Sequence, residues 1–351
     1  MKYLASRLKS ARLMNGLSLQ GLADRIENRI TKQALSKYEQ GQVVPNSEMI
    51  GLLAEALHVR PDYFHTDTVI EFGEIEFRKL DSYPVKEKNR IVEIAKNELS
   101  RYIELEEIFG IETKFHNPLD GMSINSLEDI EKAAEALRKA WGLGTDAISN
   151  VIELLEDHYV KVIEIDSEES FDGFATWVNG KDIPLIVLNK AKFEHKLDRK
   201  RFTALHELGH LLLNVNGYED MQKEKLCLAF AAAMLIPEET LRQELGGKRS
   251  KLSMNELGAI KQKYGISMQA LVYRAKNLGL ISENYLKQFY MVFNQLGFRV
   301  TEPVDYEGME HSNRFSQLLF RALAEEYISI SKAAALKNQK LAEFRKENRI
   351  I

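Results

Sequence analysis

His206-Glu207-Leu208-Gly209-His210 is the stretch whose residue types and spacing most directly specify chemistry. It lies inside a helical pattern running from Arg201 to Leu213. Four residues of α-helix return a side chain to the same face one turn on, so His206 and His210 can share one Zn²⁺ at ~2.0–2.1 Å each. Glu207 projects to one side of that pair. A carboxylate there can take a proton from an activated water rather than ligate the ion. A catalytic zinc also needs a third protein ligand and one open position. Glu224 is the candidate, because it begins the next helical run, which ends at Pro237. Ala229, Ala231, Ala232 and Ala233 in that run permit a close approach of the two helices. Glu219 and Asp220 are the alternatives, nearer in sequence but in the connecting loop. Cys227 reads as a small core residue despite standing one turn from Glu224. His195, in the loop before the metal helix, is a further candidate for assisting the transition state.

These groups need elements to hold them. Residues 126–141 and 147–156 have helical patterns, and strand-like runs follow at 159–165, 174–178 and 183–188. Asn179-Gly180 between the last two runs predicts a hairpin, since both turn positions tolerate positive φ. The metal helix is expected over about 198–213 and its partner over about 222–235, stopped by Pro237.

The remainder of the chain differs in pattern. Residues 1–66 carry short helical runs at 4–14, 18–26, 31–38, 47–57 and 61–64, with Ser18 and Thr31 at N-cap positions and Gly16 and Gly41 at helix stops. Helices this short must share one core. Residues 67–120 open with a possible strand, 69–79, followed by a helix from Pro84 to Phe109 with Ile91, Ile94, Leu99, Tyr102 and Leu105 at helical spacing. This helix is expected to pack on its own chain, a dimer contact being the alternative. Residues 246–351 are helical again. Their last part, 331–351, has six Lys or Arg against two Glu and reads as a solvated, frayed terminal helix.

Composition bounds the rest. The 351 residues are 44% hydrophobic and 28% charged with a formal charge of −4, enough for two or three folded domains. No stretch approaches the ~20 apolar residues of a membrane span, and no secretion signal is visible at the N-terminus. One cysteine excludes an intramolecular disulfide framework and fits a reducing, cytoplasmic setting. The near-neutral total hides an asymmetry. Residues 1–45 hold eight Lys or Arg against three acids, the local positive patch that phosphate binding requires.

Two resemblances follow from these residues. Residues 4–65 resemble the Cro/repressor-like (XRE) helix-turn-helix family at Leu17-Ser18, Leu22-Ala23, Leu35 to Gly41, Pro45, Leu53 to Leu57 and Asp62-Tyr63-Phe64. The resemblance implies double-stranded operator DNA as partner, read by a helix that begins at Thr31 and presents Lys32, Gln33, Ser36 and Lys37 to the major groove. Gln33 can pair with adenine, and Lys32 or Lys37 can reach guanine or phosphate. One such domain reads one half-site, so a homodimer is expected. The turn at 27–30 is about two residues longer than usual, and Leu19 stands where many members have Gln.

The second resemblance, over about 127–239, is to the ImmA/IrrE family of zinc metallopeptidases. It rests on "LRKAWGLG", "FDGFATWVNGKDIPLIVLN", "DRKRFTALHELGHLLL" and "EKLCLAFAAAMLIP". The resemblance implies Glu224 as third zinc ligand and a peptide-bond substrate, with a repressor or a toxin as protein partner. Cys227-Leu228 replaces the Ala-Asn common in that family.

The expected fold class is a multidomain chain, mainly α with an α+β part. It comprises a helix-turn-helix domain (1–66), a connector with a long helix (67–120), a zincin-like domain with a small sheet and an HExxH helix (121–245), and a C-terminal helical region (246–351). The expected function is a DNA-binding regulator carrying a zinc endopeptidase that cleaves a regulatory protein. The alternative is an antitoxin or autorepressor whose metal domain is non-catalytic. A third reading is self-cleavage within the 66–120 connector.

Overall fold

The computed structural model describes residues 2–65, 70–73, 75, 83–111, 114–168, 170–180, 182–215 and 217–348. It is mainly helical with one small sheet, and its contacts divide it into two compact units. The first holds Met1–Phe72, Phe77–Glu112 and Arg314–Ile351, and the second holds Gly73–Glu76 and Thr113–Asn313. The helical C-terminal region is therefore shared between units, 246–313 in one and 314–351 in the other.

In the first unit, α1 (Lys2–Met14), α2 (Leu19–Arg25), α3 (Lys32–Glu39), α4 (Ser47–Ala56) and a 3-10 turn at Pro61–His65 surround one core. That core is built from Leu8, Ala11, Leu22, Leu35, Leu53 and Phe64. The side chains of Ser18, Thr31 and Asn46 accept hydrogen bonds from the amides of Gly21, Ala34 and Met49. Each satisfies an amide that a helix start leaves open. The long α5 (Val85–Ile108) buries Ile91, Ala95, Leu99, Tyr102 and Leu105 and packs on α1. The strand expected at 69–79 lies largely outside the described residues. Of those described, Gly73 donates its N–H to the Trp177 carbonyl (2.7 Å).

The second unit begins with α6 (Leu127–Ala140) and α7 (Val151–Asp157). Helix α7 starts later than the pattern at 147–156 suggests, because Asn150 acts as its cap. Asn150 Oδ1 accepts from the Glu153 amide (3.1 Å), while Nδ2 donates to the His311 carbonyl (2.7 Å). Strands β1 (Lys161–Ile165), β2 (Gly173–Val178) and β3 (Ile183–Asn189) form a sheet in the order β1-β3-β2. Strand β3 runs parallel to β1 with Ile163 opposite Val187, and antiparallel to β2 with Ala175 opposite Ile186. As the central strand, β3 is buried along its whole length. Asn179 and Gly180 take φ of 50° and 78°, the left-handed values their hairpin turn needs.

After the short α8 (Lys190–Phe193) come α9 (Leu197–Leu212) and α10 (Asp220–Leu235), then α11 (Glu238–Leu245), α12 (Met254–Tyr264), α13 (Met268–Asn277) and α14 (Glu283–Gln295). Helix α9 lies between the sheet and α10, and α10 packs in turn on α6 and α13. Leu205, Leu208, Phe230, Met234, Ile130, Leu137 and Ile186 meet in the shared core.

Beyond α14 the chain runs to residue 313 without regular structure, yet two carboxylates fasten it. Glu302 accepts from Lys261 Nζ (2.9 Å) and from the amides of Met268 (2.8 Å) and Gln269 (3.1 Å) at the start of α13. Glu310 accepts from the amides of Val151 (2.9 Å) and Ile152 (3.3 Å) and pairs with Arg201 at 3.2 Å. Burial lifts the Glu310 carboxyl to about 7, against the pull of Arg201.

Helices α15 (Arg314–Ala324), α16 (Ile330–Leu336) and α17 (Leu341–Glu347) return to the first unit, where Leu319, Ala333, Leu336 and Phe344 pack with Leu105 of α5. The terminal segment is thus not simply solvated. Among its described basic residues, Lys332, Arg345 and Lys346 lie on α16 and α17, whose residues Ala333, Leu336 and Phe344 are buried.

Candidate metal centre

Helix α9 brings its two imidazoles together because His206 and His210 are one turn apart, with Leu205 and Leu208 anchored in the core beside them. Their Nε2 atoms lie 3.1 Å apart. Glu224, in the second turn of α10, reaches both rings. Its Oε2 is 3.2 Å from His206 Nε2 and its Oε1 3.3 Å from His210 Nε2. Among the described residues, His206, His210 and Glu224 are the group of His, Cys, Asp or Glu whose donor atoms converge as a metal site requires. Glu219 is the residue before α10 and Asp220 its first, and neither joins the cluster. His195 stands exposed after α8.

The spacing provides a test of fit. Bonds of about 2.05 Å arranged tetrahedrally place neighbouring donors about 3.3 Å apart. The two Nε2 atoms, 3.1 Å apart, sit near that edge length, and Glu224 presents a different carboxylate oxygen to each ring, at 3.2 and 3.3 Å. Both imidazoles aim Nε2 inward, and His206 Nδ1 is buried without a hydrogen-bond partner. Two inward ring nitrogens and a carboxylate are a donor set that suits a divalent cation. The residues present fit zinc.

Access is asymmetric. His206 and Glu207 are buried, while the Glu224 side chain is 40% exposed, so the cluster opens on the α10 side. Sequence reasoning missed the residue that brings α10 so near, Gly209. A Cβ built on it would lie 3.2 Å from Cys227 Cβ and 3.3 Å from Cys227 Cα and Sγ. The helices cross there, one turn along α10 from Glu224. The missed signal is a glycine and a small residue on facing helices, which no single-helix pattern reveals. Cys227 is fully buried, and burial pushes its thiol up despite a hydrogen bond with His210, as for a packing residue.

In the first unit, Thr31 caps α3, and Lys32, Gln33 and Lys37 are exposed while Leu35 faces the core. Ser36 is half-buried and accepts from Gln40 Nε2 (3.1 Å). Glu27 and Asn28 both adopt left-handed φ (57° and 55°) in the turn between α2 and α3. Arg12 of α1 forks onto Glu39 at the end of α3 (2.6 and 2.9 Å), tying the exposed helix to the core. That pair, 27 residues apart, was not anticipated from the sequence.

Comparison with known families settles the two domain types. Residues 8–64 match the helix-turn-helix family model. Residues 155–276 match that of the IrrE N-terminal-like domain, a peptidase family. The chain joins an XRE-type helix-turn-helix domain to an ImmA/IrrE-like domain. The IrrE-like match begins within α7, includes the sheet and both helices of the cluster, and runs on through most of α13. No curated protein matches the chain. Among the described residues, no helix is long and apolar enough to cross a membrane.

Proposed function

We propose that this chain is a DNA-binding transcriptional regulator whose IrrE-like domain is a zinc-dependent endopeptidase acting on a regulatory protein. The observation that carries the reading is the convergence of His206, His210 and Glu224, whose ligand atoms lie within 4.8 Å of one another, with Glu207 next to His206 on the same helix. His206 and His210 would hold the ion through Nε2 and Glu224 through its carboxylate. When bound, zinc supplies Lewis-acid polarisation of a carbonyl and makes water acidic near neutral pH. Glu207 accepts the proton of the water that attacks the peptide carbonyl, then delivers it to the leaving amide nitrogen as the C–N bond breaks. Glu207 is buried beside His206.

The other half of the reading is recognition. Exposed Lys32, Gln33 and Lys37 on α3, with Thr31 and Ser36 beside them, would enter the major groove of an operator. A homodimer would read two half-sites. Cleavage of candidate repressors by wild type and by Glu207→Gln, with zinc content measured in both, tests the enzyme. Loss of cleavage with retained zinc supports it, and undiminished cleavage in the variant refutes it. The helix-turn-helix domain also favours a second reading, an antitoxin or autorepressor that binds operator and toxin without hydrolysis. In that case Glu207→Gln represses its operator and neutralises the toxin as well as wild type does.

A further inference from the structure

The seam between α9 and α10 does not end at the metal cluster. Phe202 stands four residues before His206 and Leu228 four residues after Glu224, each one turn from a donor and on its face. Both line an open cavity of about 630 Å³. Its remaining walls include Leu127 from α6, Tyr273 from α13 and Tyr290 from α14. Leu127, Leu228 and Tyr273 are 44–45% exposed, an apolar concavity presented to water beside the candidate reaction centre.

The charges around this cavity are already paired. Arg274 forks onto Glu131 (2.7 and 2.8 Å) and donates to the Ile236 carbonyl (2.8 Å). Arg242 donates to Glu238 (2.8 Å), and Glu128 pairs with Lys132 (2.8 Å). An ionic ligand would have to break one of these pairs, whereas an apolar one need only displace water from Leu127, Phe202, Leu228 and Tyr273.

We infer that this groove seats a bulky apolar side chain, such as Phe or Leu, of the peptide being cut. The inference rests on the peptidase reading and names its substrate class. One helical turn rises about 5.4 Å and an extended peptide about 3.3–3.6 Å per residue. The side chain therefore belongs one or two residues from the scissile bond. The favoured substrate is a protein whose cleavable segment exposes large apolar residues, a linker or loop rather than a charged tail.

The test uses full-length, zinc-loaded protein and internally quenched peptides that differ only in carrying Phe or Ser near the cleaved bond. Leu228→Asp and Tyr273→Ala alter the groove at exposed positions, and thermal melts verify folding of each. The expected result is a preference for the Phe peptide in wild type that falls about tenfold or more in either variant, through KM. Fluorescence anisotropy of the labelled Phe peptide on Glu207→Gln should weaken by the same factor when Leu228→Asp is added. Cleavage that persists with its preference unchanged in both variants overturns the groove and leaves the peptidase standing. If zinc-loaded wild type cleaves neither peptide, the peptidase reading fails, and anisotropy alone decides. Phe and Ser peptides bound equally, or binding indifferent to both substitutions, then overturns the groove as well.

Discussion

Gly209→Ala should loosen the candidate metal site without touching a donor. The new methyl would lie 3.2 Å from Cys227 Cβ and 3.3 Å from its Cα. Carbon atoms rest at about 3.5–4.0 Å, so α10 must retreat by roughly 0.3–0.8 Å. Overpacking of this kind costs about 1–3 kcal/mol, while replacing a helical glycine by alanine returns about 1 kcal/mol. The net is a destabilisation of about 0–2 kcal/mol, a fall in Tm of a few degrees. Glu224 rides on α10 one turn from the contact, and metal sites tolerate only about ±0.2 Å in ligand distance. Zinc affinity should therefore fall about 10–100-fold, the usual effect of disturbing a ligand's support. Competition with a chromogenic chelator measures the affinity, and calorimetry the stability. Gly51→Ala is the control, since that helical glycine has open space around it. It should gain about 0.4–1 kcal/mol and leave zinc binding unaltered. If Gly209→Ala stabilises as Gly51→Ala does and binds zinc like wild type, the close crossing does not position Glu224.

Three further outcomes follow. Glu310 is raised to about 7 in the folded chain from an ordinary 4.5, so the folded state holds the extra proton between those values. Its contribution of about 3 kcal/mol is present below pH 4.5 and lost as pH rises through 7, and denaturant melts across that window should show this slope vanishing in Glu310→Gln. Phe344→Ala should cost about 3–5 kcal/mol in stability, because Phe344 is fully buried, whereas a frayed terminus would lose almost nothing. Against an operator selected from random DNA, Gln33→Ala should lose about 1–3 kcal/mol of discrimination at one base pair. Lys37→Ala should instead weaken all sequences alike and reduce the salt slope by about one, both read from titrations at several salt concentrations.

What the sequence discloses here is mostly local. The i, i+4 spacing of His206 and His210 places two ring nitrogens on one helical face whatever surrounds the helix, and Asn179-Gly180 specifies its turn through backbone sterics alone. Glu224 was legible because a helix after a short loop returns along the preceding one, although α10 begins at Asp220 and Glu224 stands in its second turn rather than at its start. The illegible features join distant positions. Nothing in β1 announces that it pairs parallel with β3, since a buried central strand looks the same in either direction. Glu310 meets Val151 across 159 residues, and only the folded chain shows that a carboxyl in an irregular segment lies 3.2 Å from Arg201. The basic count of residues 331–351 concealed the apolar residues of α16 and α17, Ala333, Leu336 and Phe344, that pack with Leu105 of α5. Asn150 shortened α7 because its amide found a carbonyl at His311, a partner no window around residue 150 contains.

The most direct measurement is zinc per chain after dialysis against a zinc buffer, by mass spectrometry, for wild type and for Glu224→Ala, a substitution at a side chain exposed enough to leave folding intact. The account predicts one zinc per wild-type chain and a loss of nearly all of it in the variant. A wild-type chain that takes up no zinc, or a variant that retains it with unchanged affinity, would contradict the claim that these three side chains hold one ion.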